Sequence, residues 1–180
     1  MNDTEVWSAI DDQRRRTVDL LEQLSEEEWS HASLCPGWTV RDVAAHLTLQ
    51  QLRIGDVLAG VIRHPGSLGG MNRMIRLSAR HKAEQPVEQL IAELRATVGS
   101  RRSNVGVTNL ETLIDILVHG QDIAVPLERD LEMATSASAT AASRVRSLLG
   151  TRMGRVFTAV GVQRFRLIAT ATTWCEGRRP

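Results

Sequence analysis

The sequence predicts a mainly α-helical fold that ends in a short β segment. Three observations carry that expectation. Apolar residues recur three and four apart along most of the chain. Three pairs, Ser25 with Glu28, Thr39 with Asp42 and Thr108 with Glu111, have the spacing at which a side chain and the third residue of a helix cap each other. A two-residue alternation appears only near the end, over 165–173.

Taken in order, Val6, Ile10, Thr17, Leu20, Leu21 and Leu24 mark an amphipathic helix over about 4–24. Arg14, Arg15 and Arg16 lie inside it and read as a solvated face. Ser25 caps a short following turn. Pro36 and Gly37 force a turn, and Thr39 starts a helix at Val40. Val40, Val43, Ala44, Leu47, Ile54 and Leu58 form its apolar stripe, and His64-Pro65-Gly66 ends it. After a loop at 67–70, Met71, Met74, Ile75 and Ser78 suggest a short connecting helix. Pro86 suits the first position of the next helix, with Val87, Leu90, Ile91, Leu94 and Val98 as its stripe and Gly99 as its stop.

Thr108 opens a helix from Asn109 to about Val125 that is apolar over most of its circumference. Its polar residues, Glu111, Asp115, His119 and Asp122, fall on one line, and Pro126 stops it. A small-residue stretch over 135–149 reads as a further helix. The strand at 165–173 has one internal partner available, 156–160, so the tail is expected to form that hairpin or to pair with a second copy of the chain in a homodimer.

A chain of 180 residues is large enough for one domain with a real core. Its net charge of +1 gives no pointer to nucleic acid or to an anionic membrane. The 21 arginines against one lysine mark coding bias more than a binding surface. No apolar run is long enough to span a bilayer and no secretory leader is recognised, so a cytoplasmic location is expected. Two cysteines far apart do not make a disulfide framework.

The chemistry concentrates in two stretches. Residues four apart on a helix share one face, so Asp115 and His119 can hold one ion without straining the backbone. His46, on a neighbouring helix, would be a third ligand, leaving a position for water or substrate. A polar line on an apolar helix is ordinarily its solvent face, and His46 equally suits a core histidine bonded to backbone; the spacing leaves these readings open. Cys35 reads as a reactive thiol or as a half-buried structural cysteine, and it is the one side chain in position to seal the site. His31, His64 and His81 look like surface residues, and Trp7, Trp29, Trp38 and Trp174 like core or end-cap residues.

The run from Cys35 to Leu47, Cys-Pro-Gly-Trp-Thr-Val-Arg-Asp-Val-Ala-Ala-His-Leu, resembles the N-terminal motif of the mycothiol-dependent maleylpyruvate isomerase family. The run from Asp115 to Leu127 resembles its second motif. The resemblance implies a DinB-like antiparallel four-helix bundle over 1–150, with 151–180 as a short β tail, a truncated remnant of the family's C-terminal portion. It implies a divalent metal, zinc by family habit, held by His46, Asp115 and His119, with Asp115 shorter than the glutamate expected there. Asp122 matches a family aspartate that would orient a ligand or act catalytically in proton transfer. Arg73 or Arg80 would meet an anionic substrate. The implied function is a metal-dependent isomerase or S-transferase that uses mycothiol as thiol cosubstrate on a small electrophile. The competing expectation is a non-catalytic metal-binding bundle that acts as a regulatory or partner-binding module.

Overall fold

The computed structural model describes residues 1–51, 71–104, 107–149, 151, 167–168 and 175–176. Over these residues the protein is mainly helical, as the periodicity predicts. Helix α1 spans Asp3–Leu21. It starts earlier than its apolar stripe because Asn2 and Glu5 cap each other, the Asn2 side chain accepting from the Glu5 N–H at 2.9 Å. Helix α2, Glu26–Ser30, and helix α3, Val40–Thr48, begin at the expected reciprocal caps of Ser25 and Thr39. The turn between them carries Gly37 at φ 77°, a left-handed conformation that glycine adopts without steric cost.

Helix α3 ends sooner than its stripe suggests. The Thr48 hydroxyl donates back to the Ala45 carbonyl at 2.8 Å, and Leu49 leaves the helical region with its N–H on His46 O. Ile54, Leu58, His64 and the loop at 67–70 lie outside the described residues. Helix α4 spans Met71–Lys82 and helix α5 Val87–Ala96. Pro86 is the residue before α5 and not its first position, with an extended ψ of 142°. Gly99 follows α5 at φ 82°. Helix α6, Asn109–Ala124, opens at the Thr108 cap and runs into a single 3₁₀ turn, Val125–Leu127, that contains Pro126. Helix α7 spans Thr135–Leu148.

Helix α6 is central. It packs against α1, α3 and α7, while α3 also packs on α4 and α5. Being apolar nearly all round, it feeds two core clusters. Ile116 and Ile123 join Val18, Leu21, Val40, Val43 and Leu47 in one; Leu113 and Leu117 join Val6, Trp7, Ile10 and Ala137 in the other. Each buried Val, Leu or Ile side chain among them contributes about 1.5–3 kcal/mol. Gly120 lets α1 and the segment after α6 come close, since a Cβ there would lie 2.9 Å from Leu131 Cδ2 and 3.5 Å from Thr17 Oγ1.

Two sequence expectations need correction. Arg14 is fully buried, whereas Arg15 is exposed and Arg16 partly so. Successive helical residues turn by about 100°, so three in a row cannot share one solvated face. In the tail, Leu167 faces Glu176 and Ile168 faces Cys175 in a two-residue antiparallel pairing. The sequence did not offer 175–176 as that partner, and the rest of 165–173 and the partner expected at 156–160 lie outside the described residues.

Candidate functional site

Helices α3 and α6 set the site. The Thr39 cap fixes where α3 begins, which places His46 in its last turn, and the Thr108 cap does the same for Asp115 and His119 on α6. Their packing brings the three side chains together. Asp115 Oδ1 lies 3.6 Å from His46 Nε2 and 3.4 Å from His119 Nε2. One donor atom from each of the three falls within 4.8 Å of the other two, a group that can hold a metal ion. A tetrahedral zinc with bonds of about 2.0–2.1 Å holds its ligand atoms roughly 3.3–3.4 Å apart, close to the two separations from Asp115 Oδ1. The imidazole rings cross edge to face, with centroids 4.9 Å apart.

All three residues line a cavity of about 450 Å³ that also meets Cys35, Trp38, Gln50 and Arg76. The polar line of α6 is therefore a cavity wall for Glu111, Asp115 and His119. Asp122 departs from that line. It borders an apolar groove between α6 and α7, and its Oδ2 lies 2.8 Å from His119 Nδ1. That contact gives the Nδ1 proton an acceptor and leaves Nε2 free to face Asp115 and His46.

Cys35 sits on the Nδ1 side of the same ring. Its thiol donates to Asp122 Oδ2 at 3.1 Å, with Sγ 3.7 Å from His119 Nδ1. The loop is pinned there by the Leu34 N–H on the Asp122 carbonyl at 3.1 Å and by the Ser33 N–H on Trp38 O at 3.0 Å. Cys35 thus groups with His119 and Asp122. Among the described residues no fourth histidine, cysteine, aspartate or glutamate joins His46, Asp115 and His119.

The carboxylates set the protonation of the site. Burial raises the Asp115 carboxyl, but its contacts with His119 and His46 more than reverse this and hold it well below the usual carboxylate range. Burial pulls His119 down, yet Asp115, Asp122 and Cys35 together push it up to about 12. Asp122, raised by burial, is lowered further by its hydrogen bonds to His119 and Cys35.

Several residues take places that the sequence did not assign. Trp38 is half-buried and meets His46 edge-on, with centroids 5.4 Å apart, so it walls the site as well as packing against the core. Gln50 donates to Asp115 Oδ2. Arg76 lines the cavity, whereas Arg80 donates to the Gly37 carbonyl at 3.0 Å and Arg73 does not line it. The one signal for Gln50 was its place four residues after His46. His31 and His81 are exposed, as expected, and Trp7 and Trp29 are buried. His64 and Trp174 lie outside the described residues.

The family described as the mycothiol maleylpyruvate isomerase N-terminal domain matches residues 10–109. No curated protein and no solved structure matches the chain.

Proposed function

The chain belongs to the mycothiol maleylpyruvate isomerase N-terminal domain family, and from that premise we propose a metal-dependent enzyme that uses a low-molecular-weight thiol, mycothiol, on a small electrophile. The reaction is thiol transfer to the electrophile or its thiol-assisted isomerisation. The observation that carries this reading is the meeting of His46, Asp115 and His119 donor atoms on the wall of a 450 Å³ cavity.

The two imidazole Nε2 atoms and Asp115 Oδ1 would hold a divalent cation, zinc by the nature of the donors. When bound, that cation supplies Lewis acidity that keeps a thiol in its thiolate form, the species that attacks carbon. Asp122 acts through His119. By accepting from Nδ1 it fixes the tautomer and ring orientation that aim Nε2 inward. Trp38 closes one side of His46 and restricts water. Arg76 brings a guanidinium to the cavity wall, where it suits a carboxylate on the electrophile. On this reading residues 1–150 carry the site, and the tail supplies none of it.

Cobalt-substituted protein titrated with mycothiol tests the proposal. The visible bands should shift saturably, and an electrophile added with mycothiol should then turn over steadily. Bands that stay unmoved at saturating mycothiol would instead support a metal-binding module without catalysis.

A further inference from the structure

Gln50 lies four residues beyond His46, just past the end of α3. It is only 4% exposed, yet it borders the cavity. Its Nε2 donates a hydrogen bond to Asp115 Oδ2, while Oδ1 of the same carboxylate faces His46 and His119. Among the described residues its own Oε1 is buried without a hydrogen-bond partner. A buried acceptor left unmet costs folding free energy, and an apolar side chain of similar size avoids that cost. Packing alone therefore disfavours glutamine here, and the contact with Asp115 is what the residue provides.

A carboxylate can bind a cation through one oxygen or through both. With Oδ2 committed to Gln50, Asp115 has Oδ1 left to offer. We infer that Gln50 is a positioning residue that fixes Asp115 as a one-oxygen ligand and thereby keeps a coordination position open for the incoming thiol. The inference rests on the metal reading above.

Gln50→Met and Gln50→Leu test it, since both keep the volume and remove the donor. Zinc affinity is measured by chelator competition, cobalt spectra report coordination, and thermal melting of metal-free protein reports the fold. We expect zinc affinity to fall roughly 10- to 100-fold, the effect of losing a hydrogen-bond partner of a metal ligand. The cobalt bands should change shape and lose their response to mycothiol. The melting temperature of the metal-free variants should match the wild type or exceed it. Wild-type affinity and wild-type bands in a folded variant would overturn the inference. So would an affinity loss that tracks a loss of melting temperature, because a merely structural glutamine behaves that way. A wild-type protein that binds no zinc sinks the metal reading and this inference together, whereas normal wild-type binding with unaltered variants sinks this one alone.

Discussion

Asp11 and Arg14 approach to 3.6 Å on α1, much as Asp115 approaches His46 and His119 on α3 and α6, yet the two groups of charge are finished differently. Arg14 is fully buried, and its Nη1 donates to the carbonyls of Thr97 at 2.8 Å and Ser100 at 3.4 Å. Asp11 accepts from the Gly99 N–H at 2.9 Å and from Arg101 at 2.6 Å, and Arg101 lies over the Trp7 ring. These bonds fasten α1 to the turn after α5. Around Asp115, by contrast, one oxygen is taken by Gln50 while the other faces two ring nitrogens at ligand spacing beside an open cavity. Buried charge alone does not mark a site. Donors that converge at ligand spacing on an accessible point do.

The largest effect that would break this contrast is His119→Ala. It leaves a two-ligand remnant, and the affinity for zinc should fall by roughly 1,000-fold, given the size of the binding free energy shared among the ligands of a zinc site. Metal content after dialysis and helical circular dichroism check it together. Retained stoichiometric metal in the folded variant would remove His119 from the ligand set.

Arg14→Ala addresses the other cluster. Removing one partner of a buried charge pair typically costs about 3 kcal/mol, and here the lost side chain also leaves a void beneath the α5 turn. Urea unfolding should show that loss while zinc affinity stays as in the wild type. If zinc affinity instead drops alongside stability, the two clusters are one unit and the contrast fails.

The difference between the clusters also explains what the sequence revealed. Helix starts at Val40 and Asn109 were legible because a capping pair is a local device, complete within four residues. Asp115 and His119 were legible as a pair for the same reason: helical spacing fixes who shares a face. That His46 faces them depends on how α3 packs on α6, which spacing cannot state; the resemblance supplied it. Arg14 was misread because three consecutive arginines look alike until the neighbours of each are known. Trp38 and Arg76 gave no signal of their own and Gln50 only its place four residues after His46, since their roles come from a contact 65 residues away in the chain for Gln50 and from the shape of a cavity for the others. The stop of α3 at Thr48 was hidden by an apolar stripe that continues past it.

The smallest effect separates the clusters by pH in the metal-free protein. His119 is raised in the folded state from 6.5 to about 12. A group with a raised folded value contributes its full stability below pH 6.5 and loses it progressively as pH climbs toward the folded value. Asp115 is depressed from 3.8, so its contribution is whole above that value and is lost only as pH falls below it. The metal-free protein should therefore be most stable between about pH 4 and pH 6.5, on these two groups alone. Above that window the slope is at most about 1.4 kcal/mol per pH unit. Chelator-treated wild type should lose about 2 kcal/mol between about pH 6.5 and pH 8.5, measured by urea unfolding, while His119→Ala should stay nearly flat. Arg14→Ala should keep the wild-type slope on a lower baseline, because it leaves His119 and the carboxylates around it in place. Parallel profiles for wild type and His119→Ala would show that the imidazolium is not held by the carboxylates around it, and the electrostatic half of the contrast would be lost.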